Sequence, residues 1–355
     1  MRQETVELAN ETQQSTVQGT SFTAYGLQPA LFTKEVVDAA QKQLYFANFV
    51  KVIYAPTGTK DVVIPKRSYY LGSSGVTIDT SEATTSDISN TSLSNLDSVT
   101  ATPEVKLARF TVTNHAIRTN VVNLVEAARE ELSYAIGDNL DQHIATTIGD
   151  ATEATSSATG AIVIYGGDAY TDATLSAGDV ITTDLVAKAK RLLQDKFVWY
   201  WNGSTFTKVS QSTAVKNPWQ NTPDDPFVLF IGPAQEETFL KDSQFVNAAE
   251  YGNNIVVQNG EIGSYLGIRI VVTTNVESVA SGSSGPDGDG NAGTDMTRCI
   301  LCKPKKACAL VWGKEPEITV ASIPERAQQT IVLEAAYQAK VIHDDAIVFI
   351  DVADA

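Results

Sequence analysis

The chain has 355 residues, of which 43% are apolar, a balance that builds a globular core and excludes wholesale disorder. Acids outnumber bases 42 to 26, and the formal charge of −16 argues against a general nucleic-acid binder, because the average field repels phosphate. Three His and three Cys leave few ways to build a metal or histidine-based catalytic centre, and the odd, closely spaced set Cys299, Cys302 and Cys308 excludes a disulfide framework and points to a reducing compartment. No run approaches the roughly 18 apolar residues of a membrane-spanning helix. The polar, acidic start MRQETVELANETQQ does not read as a secretory signal.

Residues 1–28 are polar and without period, and read as a flexible arm. From Pro29, Val36, Val37, Ala40, Leu44 and Ala47 recur near every 3.6 residues, which predicts an amphipathic helix ending near Phe49, with Thr33 as its N-cap. Asp61 to Ile64 reads as a strand closed by Pro65. Between Ser68 and Pro103 there is no Lys or Arg, and 16 of the 36 residues are Ser or Thr, so this stretch cannot bury a core of its own. KDVVIP before it and VKLARFTVTNHAI after it both read as strands, which suggests an extended two-stranded arm. Its tip is polar and carries Asp79, Glu82, Asp87 and Asp97.

The strongest helix signal follows. Val121, Val125, Ala128, Leu132, Ile136, Leu140, Ile144 and Ile148 step by three or four, with Glu126, Glu130, Glu131, Asp138 and Asp141 on other faces and Asn123 with Glu126 resembling a capping box. From Asn120 to Ile148 such a helix would run ~43 Å at about 1.5 Å per residue. AIVIY predicts a short strand, Thr183 to Asp195 a second helix, and FVWYW, Asn202-Gly203, STFTKVS a hairpin with a type I′ turn. Val228 to Ile231 reads as a buried strand, and Pro233 as the first position of a short helix. IVVQ and YLGIRIVVTTNV read as strands, 277–295 as a Gly/Ser/Asp-rich loop, and RCILC and ACALVWG as two strands around the turn KPKK. The last run is ambiguous. LEAAYQAK has helical propensity, but Ile331, Leu333, Ala335, Tyr337, Ala339 and Val341 alternate with period two, which favours a strand pair turning at His343-Asp344-Asp345.

No constellation makes a strong catalytic or metal signature. Cys299-x-x-Cys302 with Cys308 is an incomplete zinc set, better read as small apolar residues in strands. Gly288-Asp289-Gly290-Asn291-Ala292-Gly293 matches a dinucleotide-loop pattern but neither follows a strand nor opens a helix. The same loop imitates the start of a calcium loop, yet has Ala292 in place of the turn Gly and Arg298 in place of the closing Glu. His115, His143 and His343 stand apart from any hydrolase signature, and His143 reads as a helix-surface residue. Trp199, Tyr200, Trp201 and Trp219 read as hairpin packing rather than as a sugar or base platform. Lys60, Lys66, Arg67, Lys106 and Arg109 concentrate near the base of the arm. Set against the acidic tip, they make a dipolar arm suited to head-to-tail contact between copies. The candidate subunit-interface residues are therefore Lys66, Arg67, Asp79, Glu82, Asp87 and Arg109.

The order of elements resembles the major capsid proteins of tailed bacteriophages, whose shell fold (the Johnson fold) is shared with herpesvirus capsid floors and encapsulins. The most specific stretch is NGEIGSYLGIRIVVTTNV, Asn259 to Val276, where Gly260, Gly263 and Gly267 match a G-x-I-G-x-x-x-G pattern found in the domain lining capsomer centres. HAIRTNVVNLVEAAREELSYAIGDNLDQHIATTI and FVLFIGPAQEETFLKD resemble the family's arm-to-spine passage and its strand-to-helix unit. The resemblance implies an α+β fold with an N-terminal arm over 1–55, an extended β-arm over 56–112 and a peripheral domain over 113–182 with a spine helix at 120–148. An axial domain over 183–276 with a hairpin at 197–209, a flexible loop over 277–298 and returning C-terminal strands over 299–355 would complete it. It further implies a non-enzymatic protein without cofactor or metal that assembles with itself as hexamers and pentamers around double-stranded DNA, without sequence-specific binding. Scaffolding, portal and decoration proteins would be its other partners, and the virion capsid, assembled in the host cytoplasm, its location. The alternatives are an encapsulin-like cargo shell and a soluble enzyme with an unrecognised site.

Overall fold

A computed structural model describes residues 45–56, 58–67, 96–120, 123–154, 160–195, 198–201, 206–209, 219–241, 264–286 and 290–354. Residues 1–44 of the expected N-terminal arm, with most of the expected first helix, the tip of the β-arm and the IVVQ strand lie outside the described residues. Within the expected range of that helix the described residues hold the four-residue helix α1 (Phe46–Phe49), which follows Tyr45 and stops where the periodicity does.

The chain divides into two compact units. Of the described residues, those of 106–136 and 315–335 make the first unit and the others the second. Strands β1 (Lys51–Tyr54), β4 (Glu104–Thr113), β13 (Cys308–Ile323) and β14 (Gln328–Val341) form a sheet ordered β1-β13-β14-β4, so that β1 and β4 are its edges. Strands β2 (Val62–Arg67) and β3 (Leu96–Ala101) form a separate antiparallel ribbon with Ile64 opposite Val99 and Lys66 opposite Asp97.

In the first unit, α2 (Asn114–Thr119) is capped by Thr113, whose Oγ1 accepts the Ala116 amide at 3.2 Å. The expected spine helix does not begin at Asn120. That residue is extended and ends α2, and α3 (Leu124–Gly149) starts four residues later, with Asn123 Oδ1 accepting the Glu126 amide at 3.4 Å. At 26 residues α3 is ~39 Å long. Leu132, Ile331 and Leu333 are the buried centre of this unit, and Val125, Ala128, Ile136, Ile318 and Val320 pack around them.

The second unit is built on a seven-stranded sheet. Its members are β5 (Ile162–Tyr165), β8 (Val228–Ile231), β9 (Ser264–Tyr265), β10 (Ile268–Val272), β11 (Ser278–Val279), β12 (Met296–Cys302) and β15 (Ile347–Ala353). They run in the order β5-β15-β12-β8-β10-β9, with β11 paired to β12. Every residue of β8, β12 and β15 is buried, as expected of strands covered on both faces. On one face Leu229, Ile231, Leu301, Val348 and Ile350 meet Leu185, Val186, Ala189, Leu192 and Leu193 of α4 (Thr183–Gln194) and Phe239 of α5 (Pro233–Lys241). A fully buried Leu, Ile, Val or Phe among them contributes about 1.5–3 kcal/mol. Phe230 points the other way and stacks on Phe46 with ring centroids 4.1 Å apart.

Several expectations need correction. Strand β2 does not stop at Pro65 but runs on to Arg67, because an edge strand tolerates a residue without an N–H. Its partner β3 comes from inside the Ser/Thr-rich segment, whereas the strand expected to complete the arm, β4, belongs to another sheet. Strands β6 (Val198–Trp201) and β7 (Phe206–Val209) form the expected hairpin, but Trp201 pairs with Phe206, and four residues intervene where Asn202-Gly203 predicts a two-residue turn. KPKK is a one-turn helix, α6 (Pro304–Ala307). Strands β12 and β13 leave it for different sheets, as do β14 and β15, which do not pair with each other. The Gly/Ser/Asp loop is partly ordered. Strand β11 lies within it, and the backbone bonds Gly282 N to Ala292 O, Ala292 N to Ser283 O and Gly285 N to Gly290 O make a small hairpin. Its Asp287, Gly288 and Asp289 lie outside the described residues.

Candidate assembly surface

The β2–β3 ribbon has two unlike faces. Val62, Ile64 and Lys66 point inward with Ala101, Val99 and Asp97 opposite them. Ile64 and Ala101 are buried against Ala309, Val311 and Ile342, with Ile53, Ala55 and Val62 around them. Lys66 continues this face. Its Nζ donates to the Ile342 carbonyl at 3.0 Å and lies 3.8 Å from Asp97 Oδ2. Asp97 is 58% exposed, so the carboxylate adds little, and the bond to the carbonyl is the firmer attachment. The outward face carries Val63 and Leu96, 57% and 60% exposed, with Arg67 directly opposite Leu96. A two-stranded ribbon is marginal by itself, and one that leaves Val and Leu outward has apolar area still to bury.

The edges of the four-stranded sheet repeat this pattern. Tyr54 of β1 is 63% exposed, and β4 exposes Val105, Leu107 and Phe110. Exposed apolar edge strands are templates for pairing with another chain.

Of the sequence-predicted interface residues, Lys66 and Arg67 stand at the end of the ribbon. Arg109 is exposed on β4, a strand of the four-stranded sheet rather than of the ribbon, so the expected basic base is not one patch on the ribbon strands. Asp79, Glu82 and Asp87 lie outside the described residues. Sequence reading missed the exposed Val63 and Leu96. The only signal was the weak alternation in LDSVTA, which is hidden among Ser and Thr.

The other candidate centres resolve into structure. On β12, Cys299 and Cys302 are an odd number of residues apart and face opposite sides of the sheet, so they cannot share an ion. Among the described residues no cluster of three His, Cys, Asp or Glu could hold a metal. Burial pushes all three thiols up, Cys308 to about 12. His115 is exposed on α2. His143, expected on the helix surface, is half-buried. Its Nε2 accepts the Ala339 amide at 3.4 Å beside the Tyr337 ring, while Tyr337 Oη donates to Asn139. His343 packs edge-on against Trp219, whose Nε1 donates to the Asp345 carbonyl at 3.0 Å. Arg298, expected at the start of the strand RCILC and as a misfit in a calcium loop, is fully buried, bonded to Asp351 and Glu153, and lies 4.6 Å over the Phe349 ring. None of these groups pairs a nucleophile with a base.

A search of individually curated proteins finds no sequence match. The chain is similar in structure to the capsid of the cyanophage P-SCSP1u, at 15% identity over 96% of this chain and 97% of that one, with a TM-score of 0.65. It is similar to the capsid of Ralstonia phage GP4, at 14% identity over 95% and 98%, with a TM-score of 0.61. The mature capsid of bacteriophage PhiM1 is matched at 12% identity over 92% of each chain, with a TM-score of 0.60. At these identities the likeness shows the fold, which is the mixed helix-and-sheet fold of phage capsids. The sequence profile described as phage capsid protein matches residues 98–350, well over half of the chain, and on that ground the chain belongs to the phage capsid protein family.

Proposed function

We propose that the chain is the major shell-forming subunit of a tailed-phage capsid, assembling as hexamers and pentamers into an icosahedral shell around double-stranded DNA. The observation that carries this reading is the outward face of the β2–β3 ribbon, where Val63 and Leu96 are exposed on an element too slight to stand alone. A neighbouring copy is the natural cover. In this reading the ribbon is the base of the extended arm, α3 is the spine of the peripheral domain, and the seven-stranded sheet with α4 and α5 is the axial domain. The role is structural rather than enzymatic, as membership of a capsid protein family suggests. The charge of −16 suits an inner wall along which packaged DNA does not stick. Scaffolding, portal and decoration proteins would be further partners, and assembly would take place in the host cytoplasm.

The test is a pair of substitutions on the outward face. Val63→Glu and Leu96→Glu leave the subunit folded by circular dichroism, because both side chains are exposed, and reduce the assembled fraction in sedimentation velocity at least tenfold. Wild-type assembly in both variants would overturn the role given to the ribbon.

A further inference from the structure

We propose that His343 is a pH-sensitive latch for the β2–β3 ribbon: its protonation sets a cation beside Lys66 and weakens the bond that ties the ribbon to the Ile342 carbonyl.

The geometry places the two groups on one short segment. The amides of Ile342 and His343 both donate to the Ala307 carbonyl, at 2.7 and 3.4 Å, which fixes the segment where it leaves β14. The Ile342 side chain belongs to the cluster that holds Ile64 and Ala101 of the ribbon, and its carbonyl takes the Lys66 ammonium at 3.0 Å. The next side chain is His343, 15% exposed, with its ring 5.4 Å from that of Trp219. Four charged groups act on it. Asp344 and Asp345 come from its own segment, Lys66 from β2 and Lys306 from α6. Asp344 Oδ1 is engaged by the Thr152 amide at 3.2 Å, and Asp345 Oδ1 stands 3.8 Å from His343 Nδ1, too far for a hydrogen bond.

Burial, opposed chiefly by Asp345 and reinforced by Lys66 and Lys306, with Asp344 opposing less, holds the proton affinity of His343 below its ordinary value of 6.5. The anchored arrangement therefore favours the neutral ring. Its contribution is complete above pH 6.5 and is lost as the pH falls below that value towards the folded-state pKa. A proton on His343 is favoured by Asp345 and Asp344 and opposed by Lys66 and Lys306. Lys66 has an alternative partner in Asp97, which lies towards solvent and receives the ammonium once the added cation weakens the bond to the Ile342 carbonyl.

Hydrogen exchange of the full-length protein, read by mass spectrometry and corrected for the intrinsic pH dependence of exchange, tests this. Protection of the β2 and β3 amides, relative to those of β12 and β15, falls at least tenfold between pH 7.5 and pH 5.0 in the wild type. In His343→Gln the ratio is flat. In Lys66→Met it is low at both pH values and flat, because the bond to be broken is already missing. A flat wild-type ratio, or an undiminished fall in either variant, would overturn the proposal.

Discussion

Arg298 and Asp351 stand directly opposite each other on β12 and β15, and the guanidinium grips the carboxylate with two bonds, Nε to Oδ1 at 2.9 Å and Nη2 to Oδ2 at 2.7 Å. Both side chains are buried, and the remaining Arg298 nitrogen reaches Glu153 at 2.9 Å. Removing one partner strands the other charge in the sheet. Asp351→Ala is expected to cost about 3–5 kcal/mol, whereas Arg298→Met with Asp351→Leu costs far less. Urea unfolding of the unassembled variants measures the difference.

The three thiols should be inert in the folded chain. Cys299, Cys302 and Cys308 are fully buried, and burial raises their pKa values, that of Cys308 to about 12, so thiolate is scarce at pH 8. A chromogenic disulfide reagent is expected to titrate none of them in native protein at pH 8 and all three after unfolding in guanidinium chloride.

The turn between β9 and β10 holds Leu266 and Gly267 at φ 51° and 74°, the left-handed region in both positions. Glycine meets that demand without strain and leucine does not. The turn is pinned by Lys190, whose ammonium donates to the Leu266 carbonyl, and by Asn221, whose amide donates to the Gly267 carbonyl at 2.6 Å. Leu266→Gly should therefore raise the unfolding free energy by about 1 kcal/mol, and Gly267→Val should lower it by at least as much. Thermal unfolding of the two variants checks the opposite signs.

Asp141 is fully buried on α3, where it accepts the Ala47 amide at 3.3 Å and the Asn275 amide at 2.8 Å. Asp141→Ala orphans both donors and is expected to cost about 1–3 kcal/mol, with Asp141→Asn recovering part of it. Urea unfolding again supplies the measurement.

Local pattern made much of this fold readable. The alternation of Ile331, Leu333, Ala335, Tyr337 and Ala339 marks a strand against helical propensity, and all five are buried. Pro233 opens α5, and the period of Leu132, Ile144 and Ile148 marks the buried face of α3. What stayed hidden depends on distant partners. Asp141 reads as a solvent-side acid until Ala47 and Asn275, 94 and 134 residues away, are placed on it. Arg298 reads as a solvated residue at the edge of the loop and the strand RCILC until Asp351 is set across the sheet. Pairing of β2 with β3 was concealed because LDSVTA has the composition of the loop around it, and only the ladder with VVIPKR makes it a strand. The candidate site was half legible for the same reason: charge marked Lys66 and Arg67, but exposure of Val63 and Leu96 is a property of the paired ribbon.

Electron microscopy of the purified full-length protein tests the central claim most directly. The account predicts closed shells of uniform diameter whose surface lattice resolves into rings of six and, at the vertices, of five. Small oligomers of a single size under every assembly condition, with no capsomers or shells, would contradict it.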